Sequence, residues 1–102
     1  MKPLPTTVSV MALLAAAGIA HAADPDLGRN LAATCATCHG TNGQAVQGAG
    51  MESLAGMDKA KALQKLSEFR SGAKPASIMH QISKGFTDEQ LDLMAAFFAA
   101  QK

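Results

Sequence analysis

Phe69, Phe86, Phe97 and Phe98 are the only aromatic residues in this chain, which has neither Trp nor Tyr. That shortage limits what the chain can fold into more than any other feature. Aromatic side chains supply much of the buried area in a core, and here the whole chain is only 102 residues long. Domains this small bury only about 60% of their unfolded surface and are marginal without a staple. A disulfide, a metal or a large apolar cofactor is therefore expected to complete the interior.

The N-terminus shortens the folding unit further. Lys2 is followed by an almost unbroken apolar run, Val8 to Ala20, and then by Ala20-His21-Ala22, small residues at the positions a signal peptidase reads. The pattern is that of a secretory signal, residues 1–22, with cleavage after Ala22. A membrane anchor needs about 20 apolar residues, and this run is shorter. The expected product is one periplasmic domain, residues 23–102, with no membrane anchor. It holds eight basic and eight acidic residues. Nucleic-acid binding usually shows as a basic excess, so none is expected. The charges are nevertheless segregated, since Lys59, Lys61, Lys65, Arg70, Lys74 and Lys84 form a basic middle opposed there only by Glu68.

Apolar spacing in the mature segment is helical throughout, with no strand-like alternation. Asp24-Pro25 reads as a helix start, with a stripe at Leu27, Leu31 and Cys35. A loop holding five glycines runs from Gly40 to Gly56. Asp58 can cap a second helix, striped by Leu63, Leu66 and Phe69 and stopped at Gly72. Pro75 can start a short third helix, Ala76 to Lys84. Thr87-Asp88-Glu89-Gln90 is a capping box for a last helix that buries Leu91, Met94, Ala95 and Phe98. The expected fold class is all-α, with one long central loop.

Cys35-Ala36-Thr37-Cys38-His39 is C-x-x-C-H, the attachment sequence for haem c. Each thiol can add across one vinyl group of the ring, and the histidine that follows is carried under the iron, where its imidazole can coordinate. Cys35 and Cys38 are thus the expected covalent anchors and His39 the expected proximal ligand. A redox C-x-x-C belongs after a strand in a βαβ unit, and no strand precedes this one. Zinc needs four ligands with tetrahedral reach; adjacent Cys38 and His39 are poorly placed to share one ion, and His80 is the only other histidine of the mature segment. A disulfide is chemically open in an oxidising compartment, but closing so small a loop adds little stability.

From Gly28 through the attachment motif and Gly40 to Leu54-Ala55-Gly56 and Thr87-Asp88-Glu89-Gln90, the chain resembles the class I cytochromes c. The resemblance implies a small helical fold wrapped around one haem, with the first and last helices crossing where Gly28 lets Phe97 or Phe98 approach. It also implies a methionine as second axial ligand, a pairing that raises the potential and favours electron transfer. Met79 is the expected one. It lies 40 residues after His39, between the second helix and the capped last helix, where the family keeps its ligand. Met51 and Met57 flank Leu54-Ala55-Gly56 and are expected to line the pocket, and Met94 lies on the buried stripe where Met is usually filler. Met79 as plain packing with Ile82 and Phe86, and His80 as the ligand instead, are the competing readings. Relatives orient the proximal histidine with a loop carbonyl; here one near Gly48 to Gly50 is expected to serve.

Phe69 to Met79, followed by Ile82 to Gln90, is similar to the haem subunit of flavocytochrome c sulfide dehydrogenase and its sulfur-oxidation relatives. The implied role is one-electron transfer, without catalysis by this chain, to or from redox partner proteins such as a flavoprotein sulfide dehydrogenase subunit. A free carrier in another respiratory or sulfur-oxidation chain, and a ligand-binding haem protein with an open sixth position, are the alternatives.

Overall fold

The computed structural model describes residues 1–3 and 24–102; the apolar run and cleavage point of the expected leader lie outside them. The described residues form helices and turns, with no strand. In chain order these are α1 (Leu27–Ala32), a 3-10 turn (Ala33–Cys35), α2 (Ala36–His39), a second 3-10 turn (Thr41–Gly43), α3 (Lys59–Ser71), α4 (Met79–Lys84) and α5 (Asp88–Ala99). The all-α expectation holds.

The first helix begins later than Asp24-Pro25. The Asp24 carboxylate accepts from the Asp26 amide at 2.9 Å, and its carbonyl accepts from the Leu27 amide at 3.2 Å. Pro25 therefore sits in a turn, and helical bonding starts at Leu27. The buried residue of α1 is Ala32, at 3% exposure, whereas Leu27 is exposed. The reason is a close crossing of α1 with α5. A Cβ on Gly28 would stand 3.0 Å from the Leu93 carbonyl oxygen. The nearest neighbour that Gly28 admits is thus Leu93, rather than the expected Phe97 or Phe98.

Both capped helices form as the sequence predicts. The Asp58 carboxylate accepts from the Lys61 amide at 3.1 Å, and α3 stops at Gly72, whose φ is +84°. At the start of α5, Thr87 Oγ1 accepts from the Gln90 amide at 3.1 Å, and Gln90 Oε1 accepts from the Thr87 amide at 2.9 Å. Leu91, Met94, Ala95 and Phe98 of α5 are buried. The third helix is shorter than Ala76 to Lys84. Residues 73–78 are held back toward α3 by the Lys74 amide on the Glu68 carbonyl. Helical bonding resumes only where Gln81 and Ile82 donate to Ile78.

The central loop is closed by one carbonyl. Gly43 O accepts from the amides of Leu54 (2.7 Å) and Ala55 (3.0 Å) and from Ser53 Oγ (2.8 Å). Its residue has φ +77°, and a Cβ there would lie 2.7 Å from Phe98 Cδ1 and 2.9 Å from the Ala55 nitrogen. Only glycine fits the conformation and the space together. The Gly56 amide then donates to Phe98 O at 2.8 Å, tying the end of the loop to α5.

Candidate functional site

The second helix departs from ordinary core logic. The stripe Leu66 and Phe69 on α3 is apolar, yet no residue of α3 is buried. These side chains instead wall a cleft whose lining is almost wholly apolar, as expected of a small-molecule or cofactor site. Leu54 and Met57 from the loop, Met79 from α4, and Met94, Ala95 and Phe98 from α5 complete the apolar lining. Cys35 and His39 enter the same cleft from the N-terminal segment, and Glu52 and Lys65 are its polar members. The interior that the sequence lacks material to fill is this cleft.

His39 ends α2. Its Nδ1 lies 2.7 Å from the carbonyl oxygen of Glu52. A carbonyl can only accept, so Nδ1 carries the proton and Nε2 keeps its lone pair for a metal. The orienting carbonyl therefore belongs to Glu52, two residues beyond the expected stretch Gly48 to Gly50. The bonds from Ser53, Leu54 and Ala55 to Gly43 anchor the chain immediately after Glu52. Gly48 and Gly50 instead sit in the open part of the loop, where an added Cβ would meet no heavy atom within 4 Å. The Glu52 side chain pairs with Lys65 of α3. That hydrogen bond holds the Glu52 carboxyl below its usual range, against partial desolvation, with help from the charges of Lys65, Lys74 and Lys61.

Both cysteine thiols are free; Cys35 is half-buried and Cys38 exposed. Burial pushes the Cys35 thiol up, a contact with Thr34 Oγ1 lowers it, and neighbouring Cys38 raises it. Of the four methionines after residue 23, Met57, Met79 and Met94 line the cleft; Met51, expected to line it with Met57, is instead exposed beside Gly50 in the open part of the loop. Met94 is 4% exposed on the floor, and Met79 is the first residue of α4. His80 is not a lining residue; its Nδ1 is buried without a partner. No group of three or more His, Cys, Asp or Glu side chains able to hold a metal ion occurs among the described residues, so the zinc reading has no ligand set there.

These donors fit a haem. The cleft is apolar, and it brings a free thiol, an imidazole with one nitrogen already committed, and thioethers to one space. Sequence reasoning missed Glu52, because a backbone acceptor leaves no residue-type signal. It also missed Arg70, whose bonds run to carbonyls across a loop, and Ser83, whose hydroxyl bonds back to the Met79 carbonyl within α4.

Comparison with known proteins agrees with this geometry. The family model for cytochrome c matches residues 25–102. The chain is 42% identical over 74 residues to a protein of Stutzerimonas stutzeri named thiosulfate dehydrogenase electron acceptor, covering 72% of this chain and 34% of that one. It is 32% identical over 96 residues to cytochrome c4 of Pseudomonas aeruginosa, covering 93% and 47% respectively. It is 31% identical over 71 residues to the cytochrome subunit of sulfide dehydrogenase of Chlorobaculum tepidum, covering 70% and 63%. The chain thus spans from about a third to just under two thirds of the length of these relatives.

Proposed function

This chain belongs to the cytochrome c family, whose members carry covalently bound haem c and pass electrons through it, and we propose that it is a periplasmic one-electron carrier anchored to its haem by Cys35 and Cys38 and ligated by His39 and Met79. The observation that carries this reading is the shared cleft. Cys35, His39 and Met79 line one apolar space, and the Glu52 carbonyl fixes the tautomer that leaves His39 Nε2 free.

Bound there, the haem iron supplies a one-electron ferric–ferrous couple. The protein side chains perform no chemistry on a substrate. Cys35 and Cys38 tether, and His39 and Met79 ligate. Leu54, Leu66, Phe69 and Phe98 would keep water from a haem held in the cleft, and a dry apolar shell with a thioether ligand would favour the reduced state. No helix of the described residues is long and apolar enough to cross a membrane. The leader pattern Val8 to Ala22 supports export of the domain after it.

The partner proposed is a dehydrogenase acting on a reduced sulfur compound. Two relatives carry names of that kind, a thiosulfate dehydrogenase electron acceptor and a sulfide dehydrogenase cytochrome subunit. A flavoprotein sulfide dehydrogenase subunit is the version that the Phe69 to Met79 segment favours. The test is affinity purification of the holoprotein from native periplasm, followed by addition of sulfide or thiosulfate to the purified fraction. Reduction of the cytochrome by either one is expected. A fraction that reduces it with neither removes the sulfur assignment while leaving the electron carrier intact.

A further inference from the structure

We infer that Arg70 and Ser83 are positioning residues for Met79, forming a polar latch that holds α4 against α3 and so determines how readily the methionine leaves the iron. The inference rests on the reading of Met79 as axial ligand. It starts from the weakness of α4 itself. A helix of six residues is far below the length at which helices are stable alone, and it has no side-chain cap at Ile78. Residues 72–78 before it are not helical, and Ile78 is half-exposed. Something other than helix propensity must hold Met79 in place.

The fastening is polar and continuous. Ser83 is fully buried, at 0% exposure, and its hydroxyl donates to the Met79 carbonyl at 2.7 Å. The Ser83 carbonyl, one of those a helix end leaves without an internal partner, accepts from Arg70 Nε at 3.3 Å. Arg70 Nη2 donates to Phe86 O at 2.8 Å, and Nη1 pairs with Asp88 at the start of α5. One guanidinium in α3 therefore satisfies a carbonyl in the last turn of α4, a second at Phe86 just beyond it, and an acid on the next helix. The chain of contacts then runs through Ser83 to the backbone of Met79. Lysine has a single ammonium without the planar fork, and cannot hold both carbonyls and the carboxylate in this geometry.

The measurement is imidazole binding to ferric holoprotein, read alongside the thioether charge-transfer absorption. Imidazole has to displace the methionine, so its apparent affinity scales with the fraction of molecules whose ligand is detached. Ser83→Ala removes one hydrogen bond and is expected to raise imidazole affinity roughly twofold or more, the lower end of what such a bond contributes. Arg70→Lys keeps the charge and is expected to raise it about tenfold or more, since its lost bonds involve a charged donor. The comparison variant is Ala32→Gly, which loosens the α1–α5 crossing without touching the latch. It should lower the denaturation midpoint yet leave imidazole affinity unchanged. Equal affinity gains in Ala32→Gly, or none in Ser83→Ala and Arg70→Lys, would overturn the latch. Met79→Leu reports separately on the ligand. If that variant keeps the absorption, the Met79 assignment fails and the latch falls with it; if the absorption is lost, the affinity series decides the latch alone.

Discussion

The Glu52 carbonyl oxygen lies 2.7 Å from His39 Nδ1, while the carboxylate of the same residue pairs with Lys65. One residue thus sets the orientation of the candidate iron ligand and ties its own loop to α3. The backbone half of this arrangement survives a change of side chain, and the ionic half does not. Because Lys65 lowers the folded-state value of the Glu52 carboxyl, the pair contributes stability that is fully present above the unfolded value, near 4.5. It is lost as pH falls through the lower folded value. Half of the side chain is exposed, so screening keeps the contribution to about 1 kcal/mol or less. Glu52→Gln should flatten the acid limb of the stability curve below that pH and leave the His39 environment intact. Chemical denaturation of holoprotein between pH 3 and pH 7 measures it, and an unchanged acid limb would contradict the role given to the pair.

Glycines in the loop should separate steric cost from dihedral cost. Gly43 and Gly48 both have positive φ, but a Cβ at 43 meets Phe98, Ala55 and Leu54, whereas one at 48 meets nothing within 4 Å. Gly48→Ala should therefore cost roughly 1–2 kcal/mol, the penalty of a left-handed L-residue. Gly43→Ala should add roughly 1–3 kcal/mol for overpacking and disturb the carbonyl that holds Ser53, Leu54 and Ala55. Equal losses in the two variants, measured by denaturant titration, would show that the crowding relaxes without cost.

Attachment and folding should be inseparable. Buried apolar residues among the described ones are Ala32, Leu91, Met94, Ala95 and Phe98, too few to offset the ordering entropy of the domain. Haem should stay with the chain through denaturation and acid–organic extraction, because thioethers are covalent. Cys35→Ser and Cys38→Ser should each lower the yield of holoprotein, and protein without haem should be largely unfolded by circular dichroism. A compact apo form with a cooperative transition would contradict this.

Met79 should govern the potential. Met79→Ala is expected to abolish the thioether charge-transfer absorption and to lower the potential by on the order of 100 mV, about a fiftyfold weaker preference for ferrous iron at 59 mV per tenfold. Met57→Leu and Met94→Leu should keep both properties, although these residues line the same cleft. Potentiometric titration of the three variants makes the comparison. Rapid carbon monoxide binding by reduced wild-type protein would instead indicate an open sixth position.

What the sequence disclosed follows from the range of each interaction. Thr87 with Gln90, and Asp58 with Lys61, are contacts across three residues, and both caps are readable as local patterns. The C-x-x-C-H motif is equally local. The stripe of Leu66 and Phe69 is legible as apolar, but its destination is not, since period alone does not distinguish a core from a cofactor wall. Glu52 on His39 spans thirteen residues and Arg70 on Phe86 sixteen. Both end on carbonyls, which every residue possesses. Pro25 and Pro75 each suggest a helix start where the structure has none, because backbone acceptors at Asp24 and Glu68 capture the neighbouring amides first.

Electron transfer needs close approach to a partner, and the cleft wall that includes Phe69 has a cation beside it: Lys74 Nζ lies 5.4 Å from the Phe69 ring centroid. Lys61, Lys65 and Lys74 all act on the Glu52 carboxyl at the cleft, and exposed Lys84 closes α4. This basic side suits an acidic partner surface. Charges of this kind change association rate more than final affinity, and salt with a screening length of about 10 Å at 0.1 M suppresses them. Reversing Lys74 and Lys84 to Glu should therefore slow bimolecular reduction by roughly tenfold or more at low ionic strength, within the range of electrostatic steering. At high salt the variant and wild type should converge. A stable complex held by apolar contact would behave differently, with a rate insensitive to salt in both proteins. Stopped-flow reduction across a salt series separates these cases, and flat profiles for both proteins would remove steering from the account of this surface.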